Sequence, residues 1–174
     1  MSNIVAIKKK ICLLGLFSVG KTSLVRRFVY DVFDDLYLST LGVKVMQKHM
    51  PATEKEDGTL KQYQFMIWDI EGQEKFNDYL ENYFQGSAGA VLVADLTRKD
   101  SWDVLPKLMG QFAKINPEAR FVLAANKADL LGERHRHFSE IAAFAKEFRI
   151  PHFLTSAKTG LNVEQVFLEL ARLI

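Results

Sequence analysis

Three uninterrupted apolar runs punctuate the chain: Ile11-Cys12-Leu13-Leu14, Ala90-Val91-Leu92-Val93-Ala94 and Phe121-Val122-Leu123-Ala124-Ala125. None alternates apolar with polar positions, so they predict central parallel strands covered by helices on both faces. Between them apolar residues recur at helical spacing: Leu24, Val25, Phe28 and Val29, then Trp102, Leu105, Leu108, Met109 and Phe112, then Ile141, Phe144, Ala145 and Phe148. A last helix carries Val163, Val166, Phe167, Leu170, Leu173 and Ile174 on one stripe, with Asn162 as its predicted N-cap and Gln165 three residues on. One stretch breaks this rhythm. Residues 42–50 and 60–70 flank the polar Glu54-Lys55-Glu56-Asp57-Gly58-Thr59, a link too short for a parallel crossover, which predicts a hairpin and an antiparallel edge strand. The expected fold is α/β: a doubly wound, mostly parallel six-stranded sheet with one antiparallel edge strand, in a single domain over residues 1–174.

Composition supports that size and removes several function classes. With 174 residues and 48% hydrophobic positions, the chain can bury the core of one domain. Its net charge of +2 is too mild to point to nucleic acid, and Lys8-Lys9-Lys10 reads as the solvated entrance to the first strand. The single Cys12 cannot form an internal disulfide and reads as a buried core thiol in a reducing compartment. The first lysines follow a short apolar start, the reverse of a secretory signal and too brief to span a membrane. Position 2 is serine and the final residues lack cysteine, so no lipid anchor is expected from this chain, and a cytoplasmic monomer is the expectation.

Candidate chemistry begins after the first apolar run. Gly15-Leu16-Phe17-Ser18-Val19-Gly20-Lys21-Thr22 fits the phosphate-cradling spacing G-x-x-x-x-G-K-[ST], and it lies between a predicted strand and a predicted helix. Glycines let the backbone curl until successive N–H groups face one concavity, and the helix N-terminus adds its positive dipole end. Lys21 is placed to reach the β- and γ-phosphates, and the Thr22 hydroxyl to ligate Mg²⁺. Downstream, Trp68-Asp69-Ile70-Glu71-Gly72-Gln73-Glu74 ends a strand on a carboxylate. Asp69 can hold the metal through water, Gly72 can bring a backbone N–H to the γ-phosphate, and Gln73 can orient a water for in-line attack.

Asn126-Lys127-Ala128-Asp129 follows the fifth predicted strand and Thr155-Ser156-Ala157-Lys158 the sixth, on the sheet edge where open α/β folds bind ligands. Asp129 offers two acceptors to the N1–H and 2-amino donors of guanine; adenine would leave that carboxylate desolvated and unpaired. The Lys127 stem can lie over the base, Asn126 can tie the loops together, and the Ser156-Ala157 backbone can donate to the guanine carbonyl. His135-Arg136-His137, His49 and His152 offer no third metal ligand and read as solvated, while Trp102 reads as core.

With these motifs in register, the chain resembles the small GTPases of the Ras superfamily, nearest the Rab branch. Rab-like stretches are Tyr37-Leu38-Ser39-Thr40-Leu41-Gly42-Val43, the segment from Trp68 to Glu74, and Tyr83-Phe84-Gln85-Gly86-Ser87-Ala88-Gly89. The resemblance implies a molecular switch that binds GTP with Mg²⁺ and hydrolyses it to GDP and phosphate, with Gln73, Lys21 and Gly72 as the catalytic set. Nucleotide-binding positions are then Gly15, Ser18, Val19, Gly20, Lys21, Thr22, Ser23, Phe33, Thr40, Gly72, Asn126, Lys127, Asp129, Ser156, Ala157 and Lys158, with Phe33 stacked on guanine. Thr22, Thr40 and Asp69 would surround the metal. Effector, exchange-factor and activating proteins would engage switch I, switch II and the hairpin between them, where the positions of an aromatic cluster are Val45, Trp68 and Tyr83, so that one ring is replaced.

Two residues depart from that pattern. Phe17 lies where an arginine supplied by an activating protein would pass, a contribution of about 10³ to 10⁵ in rate. Glu71 replaces a small residue beside the γ-phosphate, which it would repel unless turned outward or paired with a cation such as Lys75. Slow hydrolysis is the expectation. The alternatives are a GTP-locked binding module that has lost turnover and, disfavoured by Asp129, an adenine-nucleotide kinase or ATPase.

Overall fold

A computed structural model describes residues 4–35, 42–54, 60–72, 78–132 and 136–174. Strands β1 (Ile4–Leu14), β2 (Val43–His49), β3 (Thr53–Glu54), β4 (Leu60–Ile70), β5 (Gly89–Asp95), β6 (Arg120–Asn126) and β7 (His152–Leu154) form one sheet. The order is β2-β4-β1-β5-β6-β7, with β3 also on β4. Pairing is parallel throughout except for β2 and β3, which run antiparallel to β4. The predicted antiparallel edge is therefore present, though its outer line is interrupted between β2 and β3, where Pro51 has no N–H to continue the ladder.

Alternate residues of the central strands face opposite layers. Ile11, Leu13, Val91, Val93, Val122 and Ala124 pack with helices α1 (Lys21–Tyr30) and α6 (Val163–Leu173), where Phe28 stacks on Phe167 at 4.0 Å. Cys12, Leu14, Leu92, Ala94, Leu123 and Ala125 meet the other layer. Its helices are α2 (Asp78–Phe84), α3 (Asp100–Asp103), α4 (Leu105–Ile115) and α5 (Arg136–Glu147). Both faces of the central strands are dry, which is why these strands read as unbroken apolar runs.

Three local expectations change. Lys8-Lys9-Lys10 is no strand entrance: β1 starts at Ile4 and runs through the lysines. Two of the three ammonium groups lie over aromatic faces, Lys10 Nζ sitting 4.0 Å from the Trp68 ring centre and Lys9 Nζ 5.8 Å from that of Tyr63. The single helix expected around Trp102 and Phe112 is two, α3 and α4, with Pro106 in the first turn of the second. Asn162 does not cap α6 with its side chain; it adopts a left-handed φ of 52° and sends its amide to the Leu154 carbonyl at 2.8 Å.

Candidate functional site

The loop from β1 to α1 and the loops leaving β4, β6 and β7 converge at one end of the sheet. They enclose much of a cavity of about 640 Å³ whose lining includes Ser18, Lys21, Thr22, Gly72, Asn126 and Asp129. Gly20 opens α1 with φ 98°, and a side chain there would collide with the Asn126 amide. Gly72 is crowded by backbone as well as side chain. A Cβ on it would stand 2.5 Å from Lys21 Nζ and 2.6 Å from the Phe17 nitrogen, so only hydrogen permits this approach.

Lys21 is buried and donates to the carbonyls of Gly15 and Leu16, both at 2.9 Å. Burial lowers its pKa to about 8, opposed by the carboxylates of Asp69 and Glu71. Thr22 Oγ1 donates to Asp69 Oδ2 at 2.5 Å, while the other carboxylate oxygen, Oδ1, is buried without a hydrogen-bond partner. Burial raises the Asp69 pKa, and the Thr22 hydroxyl and Lys21 oppose that shift. A hydroxyl and an orphan carboxylate oxygen form a hard donor set that fits Mg²⁺ completed by water and phosphate oxygens. Among the described residues no cluster of three His, Cys, Asp or Glu side chains offers a full protein cage.

Asn126 joins the two halves of the site. Its amide nitrogen donates to the Val19 carbonyl at 3.0 Å, and its amide oxygen accepts from the Ala157 N–H at 3.2 Å and the Thr155 hydroxyl at 3.3 Å. Asp129 Oδ1 accepts from the Ser156 hydroxyl at 2.6 Å, aligning the two loops beyond β6 and β7. Lys127 takes a left-handed φ of 65°, and its ammonium lies 2.6 Å from Oδ2 of Asp95, a carboxylate 1% exposed; the contact is an ion pair rather than an aligned hydrogen bond. Phe33 packs partly on the α1–α6 core and lines the cavity. Lys158 Nζ stands 3.6 Å from Asp35.

The two departures have definite surroundings. Glu71 is tied to Gly42: its Oε2 accepts from the Gly42 N–H at 3.1 Å, and its own N–H donates to the Gly42 carbonyl at 2.9 Å. Phe17 is 45% exposed at the rim of the cavity. Thr40, Gln73 and Lys75 lie outside the described residues, as does His135. On the surface beside β2, Val45 is exposed and the Trp68 and Tyr83 rings are 6.2 Å apart.

Three side chains enter the site's framework without belonging to any motif. Arg27 on α1 donates from Nε to the Ala157 carbonyl at 2.9 Å and from Nη2 to that of Lys158 at 2.8 Å. Asp95 holds Lys127 from below. Arg98 bonds the Phe17 carbonyl at 3.0 Å. Arg27 and Arg98 act on backbone carbonyls and the buried Asp95 on the partly exposed Lys127, which leaves no spacing to recognise; Asp95 alone had a signal, a carboxylate ending an apolar strand.

Residues 10–174 match the Ras family. The chain belongs to that family. It is 36% identical to the Ras-related protein Rab-31 of Homo sapiens over 166 residues, covering 95% of this chain and 82% of the relative. It is 37% identical to the Ras-related protein RABF2a of Arabidopsis thaliana over 167 residues, covering 95% and 80%. Rab-1D of Dictyostelium discoideum is 37% identical over 164 residues, covering 94% and 78%. The chain is thus a Rab-like member of the Ras superfamily with the α/β architecture of its phosphate-loop GTPases. Among the described residues no helix is long and apolar enough to cross a membrane.

Proposed function

We propose that this chain is a guanine-nucleotide switch that binds GTP with Mg²⁺ and hydrolyses it to GDP and phosphate, as one domain over residues 1–174. The observation that carries the reading is Asn126, which fastens the phosphate loop at Val19 to the base loop at Ala157. A triphosphate cradle and an acceptor suited to guanine are thereby held in one cavity.

Lys21, buried against two carbonyls, supplies a cation to the phosphates at low desolvation cost, since it is already dehydrated. Asp129 accepts from guanine, and Lys127, steadied by Asp95, lays its stem along the base. Thr22, Asp69 and the switch threonine Thr40 would hold Mg²⁺, which would supply positive charge against the phosphates. Gln73 orients a water whose oxygen attacks the γ-phosphorus; the bond to the β–γ bridging oxygen breaks, GDP departs and the water's protons leave with phosphate and solvent. The Gly72 N–H and Thr40 meet the γ-phosphate, and its loss releases both switches to effector, exchange-factor and activating proteins. Turnover is slow because Phe17 stands at the rim where an external arginine would enter. The active site works in the cytoplasm on a monomer.

Identifying the nucleotide released when purified protein is denatured, then following phosphate release after loading with GTP and Mg²⁺, tests this reading. Guanine nucleotide and slow phosphate release are expected, accelerated in Phe17→Gly when a Rab-directed activating protein is added. An adenine nucleotide would overturn the base assignment. Guanine nucleotide without any phosphate release would make the chain a GTP-locked binding module instead.

A further inference from the structure

The phosphate loop contains a strained residue and an external brace beside it. Ser18 adopts φ 64°, a left-handed conformation that an L side chain disfavours, and it lines the cavity. The carbonyl of the preceding residue, Phe17, accepts from Arg98 Nη1 at 3.0 Å, across 81 residues of sequence. Arg98 is itself held. Its Nη2 bonds Asp100 Oδ2 at 2.7 Å, and its backbone N–H donates to the Asp95 carbonyl at 3.0 Å. The turn is stiffened by Asp95 Oδ1, which accepts from the Thr97 N–H at 2.9 Å and the Thr97 hydroxyl at 2.7 Å.

A trans peptide is planar, so its C=O and the next N–H point in opposite directions. Holding the Phe17 carbonyl outward on Arg98 turns the Ser18 N–H inward, toward the cavity that Ser18 and Lys21 line. We infer that Arg98 is a positioning residue of the phosphate cradle, fixing the Phe17–Ser18 peptide so that the Ser18 N–H serves as a donor to a nucleotide's phosphate chain. The inference rests on the guanine-nucleotide reading above and adds a residue outside the phosphate-loop motif. It also explains how the loop keeps a serine where the backbone favours glycine: a charge-assisted hydrogen bond offsets the strain.

The test compares GDP with GMP, because a brace on the phosphate loop acts on the phosphate chain and leaves base contacts alone. In Arg98→Ala, GDP binding to nucleotide-stripped protein should weaken about tenfold, the worth of one hydrogen bond from a charged donor. GMP binding should stay within about twofold of the original, a change too small to represent a lost hydrogen bond. Arg98→Lys, which keeps a cationic donor, should recover most of the GDP affinity. Equal losses for GDP and GMP, or no loss for either, would overturn the assignment. Should Arg98→Ala fail to fold, Arg98→Gln carries the same comparison with a neutral donor. If the original protein binds neither GDP nor GMP, the guanine-nucleotide reading itself falls and this inference with it.

Discussion

Two residues of the site, Ser18 in the phosphate loop and Lys127 in the base loop, share nearly the same backbone strain, with φ of 64° and 65°. Their support differs. Around Lys127 the holding contacts are interior: its ammonium meets an Asp95 carboxylate that is 1% exposed, and the neighbouring Ala128 N–H reaches the Thr155 carbonyl at 3.0 Å. Beside Ser18 the brace is Arg98, a side chain 38% exposed that is anchored to a carboxylate 60% exposed. A buried ion pair is costly to break because the remaining charge has no water, whereas a surface contact can be altered at modest cost. The contact that steadies Lys127 thus rests on a carboxylate in the core, while the brace beside Ser18 sits on a rim that substitution can tune.

The largest effect should come from the base side. Asp129→Asn should move preference from guanine to xanthine by about 10⁴, since the amide NH₂ finds an acceptor in xanthine's 2-carbonyl but faces another donor in guanine's 2-amino group; competition between GDP and XDP measures this, and unchanged guanine preference would break the contrast. A pair of glycine substitutions sharpens it further. Lys127→Gly relieves the same strain as Ser18→Gly but strands Asp95, and should cost about 3 kcal/mol in urea denaturation at fixed GDP. Ser18→Gly should instead gain about 1 kcal/mol, raising the melting temperature by roughly 2–4 °C. Equal shifts for both glycine variants would mean that backbone strain, not its support, governs the site.

The layered fold was legible because it is carried by periodicity. Runs such as Ala90–Ala94 are apolar throughout since helices cover both faces, and the short polar link before Leu60 could close only a hairpin. Lys8–Lys10 misled because lysine ammonium groups can lie over Trp68 and Tyr63 within a strand, a long-range contact that no local pattern announces. Asn162 does stand at the N-cap position of α6, but its amide bonds the Leu154 carbonyl and so makes no side-chain cap, a long-range partner that local pattern does not announce. That Lys21, Thr22, Asn126 and Asp129 would share one cavity was legible from type and spacing, while Thr40 and Gln73 lie outside the described residues. Arg27 and Arg98 were not, because bonding a carbonyl requires only a donor in the right place, and that place is set by the fold; Asp95 showed only as a carboxylate ending an apolar strand, with nothing local to announce its pairing with Lys127.

The β2 strand carries a consequence of a different kind. Among the described residues it pairs only with β4, so its outer side offers backbone donors and acceptors to any extended chain that approaches. Such an edge is a template for fibrous self-assembly. Lys44 and His49 are exposed along it and Pro51 ends its run, so charge and a missing N–H oppose the stacking of one copy on the next. Resistance to such stacking, on this view, is guarded by a handful of side chains on one edge strand.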